Sequence, residues 1–109
     1  MHSTLIIGRM EPQSSADVAR LFGAFDQTEM PYRMGTRRRE LFNYRDLYIH
    51  LQYFDGENGG SRIEEARSDP RFIKISADLK AYLYAYDPAN WRSPADAMAT
   101  RFYHWEASG

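Results

Sequence analysis

One stretch constrains the fold of this chain more than any other, residues 37–54, with the sequence RRRELFNYRDLYIHLQYF. Two segments of mixed apolar and polar residues flank residues 43–46, a group rich in turn-forming side chains. This pattern predicts a β-hairpin. A tip at Tyr44 and Arg45 sets the pairs across the two strands, namely Asn43 with Asp46, Leu41 with Tyr48, and Arg39 with His50.

Side chains alternate between the two faces of a strand, so this register also predicts which residues lie together. One face is a mixed aromatic and polar surface with a fixed cation beside an imidazole: Arg37, Arg39, Leu41, Tyr48, His50 and Gln52. The other face is predicted to be a core strip apart from two charges: Arg38, Glu40, Phe42, Leu47, Ile49 and Leu51. A three-residue tip would slip the register by one and separate Arg39 from His50.

Hydrophobic spacing predicts the elements that precede the hairpin. Residues 4–10 form a short apolar run that ends at Glu11-Pro12, which is typical of a buried strand. Ser14 or Ser15 can cap a helix that ends near Asp26, and Pro31 closes that segment. The apolar side chains of this helix recur at helical spacing: Val18, Leu21, Phe22 and Phe25.

After the hairpin, the composition of residues 55–60 predicts a loop, and residues 61–67 resemble one or two helical turns. Asp69 and Pro70 then open a second long helix, whose apolar spacing continues to Tyr86. The aromatic run TRFYHWEA at residues 100–107 predicts the last strand.

The predicted order βαββαβ indicates an α+β, ferredoxin-like fold with a four-stranded antiparallel sheet and helices on one face. A second subunit is the simplest cover for the face that the helices leave bare.

Composition narrows the possible functions. With 109 residues, the chain suits one domain over residues 1–109. Its 14 Lys and Arg balance 15 Asp and Glu, so neither nucleic acid nor an anionic membrane is a predicted partner. Cysteine is absent, and the three histidines lack metal-ligand spacing, so no metal is predicted. Without an apolar run of about 20 residues or a signal-peptide pattern, the expected compartment is the cytoplasm.

Five motifs, taken in order, resemble those of one family: RMEP, FDQTEMP, GTRRRELFNYRDLYIHL, ARSDPRF and FYHWE. Over nearly the whole chain they resemble the TcmI-like family of aromatic type II polyketide cyclases. The resemblance implies a ferredoxin-like fold, a homodimer of the dimeric α+β barrel type and no cofactor. It also implies regiospecific aldol cyclisation and dehydration of an aromatic polyketide intermediate in antibiotic or pigment biosynthesis, with an acyl carrier protein as a potential carrier of the substrate.

The functional positions of that family fall on Asp26, Arg39 and His50 of this chain. Where the resemblance leads one to expect a second histidine, this sequence has Phe25. Further pocket-lining candidates are Tyr48 and Gln52, which share the His50 face, and Trp91, which either caps the pocket mouth or anchors its loop.

The chemistry of an aldol closure fits these residue types. A proton leaves a carbon between two carbonyls, and negative charge develops on the enolate oxygen. An imidazole with an ordinary pKa of about 6.5 suits acid–base work, which points to His50. Arg39 is a permanent cation suited to the oxygen, and Asp26 either orients His50 or acts as the base.

Two other functions fit the same sequence. One is a cofactor-independent, anthrone-type monooxygenase, because a ferredoxin-like dimer does not fix the reaction. The other is a non-catalytic polyketide-binding chaperone that steers folding of the substrate, a possibility that Phe25 in place of a histidine favours.

Overall fold

A four-stranded antiparallel sheet forms the frame of the protein. The computed structural model describes residues 2–55, 65–92 and 94–108. The strands are β1 (His2–Met10), β2 (Thr36–Tyr44), β3 (Leu47–Phe54) and β4 (Leu83–Ala85), in the spatial order β2-β3-β1-β4. The helices are α1 (Ser15–Asp26), the short α2 (Met30–Met34) and α3 (Pro70–Leu79). This arrangement confirms the predicted ferredoxin-like α+β fold.

The core lies between the helices and the sheet face that carries Tyr48 and His50. Its buried side chains come from both layers: Met10, Val18, Phe22, Phe25, Met30, Met34, Tyr48, Ala66 and Ile75. The prediction that the opposite face is a core strip is therefore wrong. Leu47, Ile49 and Leu51 are only half-buried, and Phe42 is exposed. The helices bury the mixed face because its aromatic and aliphatic bodies supply apolar area while its polar ends bond one another.

The hairpin forms, but its predicted tip is wrong by one residue. The tip is Arg45–Asp46, so Leu41 lies opposite His50 and Arg39 lies opposite Gln52. Every pair is thereby shifted by two residues, and a shift of two keeps each side chain on its predicted face. Arg39 and His50 thus remain neighbours, although as a diagonal pair. The exception is Arg37, which lies in a register irregularity and pairs with Asp55 at 3.6 Å.

Contacts with the end of β1 fix this tip. The backbone N–H of Met10 donates to the Asp46 carbonyl at 2.8 Å, and Arg9 bonds the Asp46 carboxylate at 2.7 Å. Arg45 takes up the turn with a left-handed φ of 55°. These contacts join residues far apart in sequence, so the composition of the hairpin alone does not reveal them.

Replacing Arg45 with glycine is expected to raise the free energy of unfolding by about 0.5–1 kcal/mol, because a side chain disfavours left-handed backbone. Urea unfolding of Arg45→Gly beside Arg45→Ala measures the effect. The alanine variant should show no gain, and equal stability of the two variants would contradict the assignment of strain.

The second half of the chain departs from the prediction at two places. The second helix ends at Leu79 instead of continuing to Tyr86, and residues 83–85 form β4 on the edge of β1. Residues 100–107, predicted as the last strand, have no regular secondary structure. Met98 forms only an isolated bridge with Ile6, and the aromatic side chains beyond it are exposed: Phe102, Tyr103 and Trp105. The edge of β1 that a last strand needs is occupied by β4 and this bridge.

Smaller corrections concern the ends of elements. Pro31 is the second residue of α2 and does not close a segment, and Ser14 makes no side-chain capping bond at the start of α1. The predicted loop at residues 55–60 and the helical turns at residues 61–67 lie largely outside the described residues. No helix among the residues described is long and apolar enough to cross a membrane. The cytoplasmic location stays a prediction.

Candidate active site

Arg39 is the centre of a polar chain at the junction of α1, β2 and β3. Its Nε donates to both carboxylate oxygens of Asp26, at 3.2 and 3.0 Å, and its Nη2 donates to Oδ1 at 2.9 Å. Its Nη1 lies 3.0 Å from Nε2 of His50. Although the Arg39 side chain is only 7% exposed, Asp26 lies at the rim with 36% exposure. The carboxylate therefore holds the guanidinium in place from the solvent side.

His50 extends this series of hydrogen-bonded side chains from Arg39 into the core. The residue is 6% exposed, and its Nδ1 lies 3.0 Å from the hydroxyl of Tyr48, itself 5% exposed. Burial, and secondly the charge of Arg39, lower the pKa of His50 to about 3. Burial raises the pKa of Tyr48 well above its ordinary value. At neutral pH the site thus holds a neutral imidazole, a neutral phenol and one fixed cation paired with Asp26.

The lowered pKa of His50 predicts an acid-sensitive fold. Between about pH 6.5 and pH 3 the unfolded state binds a proton on His50 that the folded state does not, so stability falls as the pH falls. This residue should remove about 2 kcal/mol between pH 7 and pH 5, since one pKa unit corresponds to about 1.4 kcal/mol.

Urea unfolding of the wild type and of His50→Gln at both pH values measures this difference. The glutamine variant should lose that part of the pH dependence, whereas His104→Gln, at an exposed histidine, should retain it. An unchanged slope in His50→Gln would show that His50 is not buried as the neutral form.

Two phenylalanines of α1 shield the cation from water. The Arg39 guanidinium carbon lies 4.8 Å from the ring centre of Phe22 and 5.9 Å from that of Phe25. Phe22 also meets the His50 ring edge-on at 5.2 Å. Phe25, which replaces the expected histidine, thus contributes an apolar wall to the site. Phe22 is not among the site residues predicted from the sequence, although its position four residues before Asp26 puts both side chains on one helix face.

Hydrogen bonds of Thr28 shape the turn directly after Asp26, the residue that binds Arg39. The hydroxyl of Thr28 donates to the Phe25 carbonyl at 2.7 Å and accepts the Met30 N–H at 3.1 Å. The FDQTEMP motif therefore ends one helix and starts the next. Gly35, with a φ of 77°, then ends α2 and leads directly into β2.

The ARSDPRF motif contributes hydrogen bonds that stabilise the structure away from the site. Asp69 caps α3 by accepting the Arg71 N–H at 2.8 Å, and it binds Arg33 of α2 at 2.5 Å. The Arg71 side chain extends the network to Glu29. Hydrogen bonds from Arg71, together with its charge and Arg33, hold the pKa of Asp69 below its usual range.

The remaining predicted pocket residues divide between the two sheet faces. Gln52 is buried opposite Arg39 and donates to the Thr36 hydroxyl at 2.8 Å. Trp91 lies apart from the chain of polar groups. It lines an open cleft of about 290 Å³ together with Ile7, and Ile7 faces away from His50 because its neighbour Ile6 is the residue paired with His50.

A smaller cavity lies on the His50 side, between α1 and the hairpin. Its volume is about 150 Å³, and its lining includes Met10, Val18, Leu41, Asn43 and Tyr48. Tyr48 thus joins the cavity to the polar chain. Within the described residues, no group of three or more His, Asp or Glu side chains is placed to hold a metal ion.

The fold and the site together define a ferredoxin-like α+β protein that buries an Arg–His–Tyr series of hydrogen-bonded side chains against its sheet, with Asp26 at the rim. Residues 2–106 match the family model described as polyketide synthesis cyclase. The chain belongs to this family, which confirms the resemblance seen in the sequence motifs.

Individual relatives match over almost their full length. Polyketide synthase CurG of Streptomyces cyaneus is 42% identical over 106 residues, covering 97% of this chain and 98% of that protein. An uncharacterized protein of Streptomyces coelicolor is 44% identical over 107 residues, covering 97% and 96%. The solved structure of tetracenomycin F2 cyclase from Streptomyces glaucescens, a type-II polyketide cyclase, is 36% identical with a TM-score of 0.91, covering 99% of this chain and 100% of that one.

Proposed function

We propose that this chain catalyses the cofactor-free aldol cyclisation and dehydration of an aromatic polyketide intermediate, free or delivered by an acyl carrier protein. The observation that carries the proposal is the buried guanidinium of Arg39, held by Asp26 and adjoining a neutral His50. Membership of the polyketide synthesis cyclase family supports the substrate class.

Arg39 has the geometry of an enolate-binding group. A guanidinium carries five N–H bonds, and among the described residues Asp26 and His50 engage one each on Nε, Nη1 and Nη2. One N–H on Nη1 and one on Nη2 therefore remain for the oxygen on which charge develops. Shielding by Phe22 keeps the surroundings poor in water, where a cation stabilises an oxyanion more strongly.

Either of two groups can take the carbon proton in this proposal. Asp26 presents its carboxylate at the rim, and it binds Arg39 directly rather than His50. His50 is the second candidate, but its one lone pair, on Nε2, accepts from Nη1 of Arg39, so His50 acts as a base only where the substrate oxygen takes over that N–H. If His50 is the base, a pH–rate profile without an inflection near 6.5 is expected, because its pKa is lowered to about 3. The proton of a carbon between two carbonyls is acidic enough that a weak, well-placed base suffices.

We further propose that the protein acts as a homodimer joined through the open face of the sheet. The pairs Leu5–Leu51 and Ile7–Ile49 form a half-buried apolar patch on that face, away from the core. Two copies of one such patch complement each other about a two-fold axis. Association would remove the patch from water and stabilise the dimer in proportion to the apolar area covered.

Turnover of a linear poly-β-ketone, followed by mass spectrometry and an oxygen electrode, tests the reaction. A cyclase yields a product lighter by one water with no oxygen uptake. Oxygen consumption with an oxygenated product would instead identify a monooxygenase. A product mixture that changes when pocket-lining residues are substituted, but stays the same when Arg39 and His50 are removed, would identify a polyketide-binding chaperone.

A further inference from the structure

The hydrogen bonds around His50 fix the position of its proton. A guanidinium can only donate, so Nε2 of His50, 3.0 Å from Nη1 of Arg39, must accept. A neutral imidazole carries one proton, which is then on Nδ1. That N–H points to the Tyr48 oxygen at 3.0 Å. Tyr48 is consequently the acceptor in this bond, and its own O–H proton is not used by His50.

The free proton of Tyr48 lies on a side chain that also borders a cavity. Among the residues described, the Tyr48 hydroxyl has no hydrogen-bond partner besides His50. The same side chain lines the cavity of about 150 Å³ between α1 and the hairpin. A buried donor without an acceptor is unfavourable, and an oxygen of a bound molecule would satisfy it.

We propose that the Tyr48 hydroxyl donates a hydrogen bond to a carbonyl or enolate oxygen of the polyketide ring that closes in this cavity. The inference rests on the proposed function and adds a catalytic residue to it. All bonds then run in one direction, from Arg39 N–H to Nε2, from Nδ1–H to the phenol, and from the phenol to the substrate. Hydrogen bonds in such a chain polarise one another, so the charge of Arg39 strengthens the donor at its far end.

The surroundings of Tyr48 fit this task. Gly8 lies directly opposite Tyr48 on β1, and a Cβ at Gly8 would lie 3.6 Å from Cδ2 of the tyrosine and 3.1 Å from the Tyr84 carbonyl oxygen. The absence of a side chain there leaves space for the ring. The volume of about 150 Å³ equals that of a cavity that holds benzene, so the space matches one six-membered ring of a larger polyketide.

Tyr48 stays protonated throughout this step. The raised pKa of the buried phenol opposes its ionisation, so it acts by hydrogen bonding and not by releasing its proton. No covalent bond to Tyr48 forms or breaks, and the dehydration of the substrate needs no oxidant or reductant.

The first test is the proton position, measured by ¹⁵N NMR of the His50 ring at pH 7 in the full chain. The expected result is a protonated Nδ1 and a bare Nε2, and a protonated Nε2 would overturn the inference. This measurement does not depend on turnover, so it stands apart from the proposed function.

The second test compares Tyr48→Phe with Tyr44→Phe, a hydroxyl deletion at an exposed hairpin position. Tyr48→Phe should lower kcat by about 10²-fold, as for a lost oxyanion donor. It should also weaken binding of the probe 1,8-dihydroxynaphthalene, whereas Tyr44→Phe should match the wild type in both. Wild-type kcat and probe affinity in a folded Tyr48→Phe would overturn the inference.

A third variant separates loss of the donor from loss of the fold. Incorporation of 3,5-difluorotyrosine at position 48 keeps the ring and makes the hydroxyl a stronger donor, so probe affinity should rise, and unchanged affinity would count against the inference. If the wild type binds the probe through Tyr48 but does not cyclise a poly-β-ketone, the proposed function fails while the donor assignment holds.

Discussion

Replacing Arg39 with alanine is expected to slow cyclisation by about 10²–10³-fold, the usual effect of removing a principal oxyanion-stabilising group. The loss should be this large because the Arg39 side chain is only 7% exposed and Phe22 and Phe25 pack against the guanidinium, so water replaces the lost cation poorly. Single-turnover rates on a poly-β-ketone, with the product pattern, measure the effect. The variant should yield the mixture that forms spontaneously.

Two further variants make this prediction specific. Arg38→Ala removes a neighbouring arginine whose partner is Glu40 instead of Asp26, and it should leave the rate unchanged. Arg39→Lys keeps the charge but cannot bind Asp26 and His50 through one planar fork, so its rate should lie between those of wild type and Arg39→Ala. Equal rates for wild type and Arg39→Ala would remove Arg39 from the mechanism.

Replacing Ile49 with aspartate is expected to convert a dimer into a monomer. Ile49 lies at the centre of the open sheet face, paired with Ile7 on β1 and with Phe42 on β2. Covering an ionised carboxylate with a second apolar face, without a partner, costs several kcal/mol. That cost exceeds what an interface of modest area can offset. Sedimentation equilibrium over a range of concentrations measures the outcome.

Ile73→Asp is the matched control for the dimer. Ile73 is also an isoleucine, but it is exposed on α3 instead of the sheet. This variant should associate like the wild type, and circular dichroism should show folded protein for both variants. A wild type that sediments as a monomer at tens of micromolar would contradict the proposed homodimer.

The hairpin shows which features of the site can be predicted from the sequence and which cannot. Side-chain alternation alone predicts that Arg39 and His50 lie on one face. That prediction holds although the predicted tip is wrong by one residue, because the cross-strand pairs shift by two residues, an even number. The tip itself depends on Arg9 and Met10, which bind Asp46 from another strand. A local pattern of turn-forming residues cannot predict a contact with residues that are distant in the sequence.

The prediction for the second half of the chain is wrong for a related reason. Helical spacing continues past Leu79 to Tyr86, and β-forming aromatics fill residues 100–107, so both local preferences are real. The free edge of β1 decides between them, and residues 83–85 occupy it. Tertiary pairing overrides propensity at these positions.

Within the site, sequence supplied the residue types but not their connections. Asp26 was expected to orient His50 or to act as a base, whereas it binds Arg39 and leaves His50 to Tyr48. The neutral state of His50 also depends on burial beneath Phe22. Trp91, grouped with the pocket on the basis of its loop, lines a cleft on the other side of the sheet.

The position of a bound aromatic product is the most direct test of the central proposal, that cyclisation takes place beside Arg39 on the helix-covered face. A crystal structure of the complex should show one ring in the cavity between α1 and the hairpin. Its oxygens should lie within about 3 Å of the Arg39 guanidinium and the Tyr48 hydroxyl. A product bound instead in the cleft around Trp91, with the Arg39 site empty, would contradict the proposal.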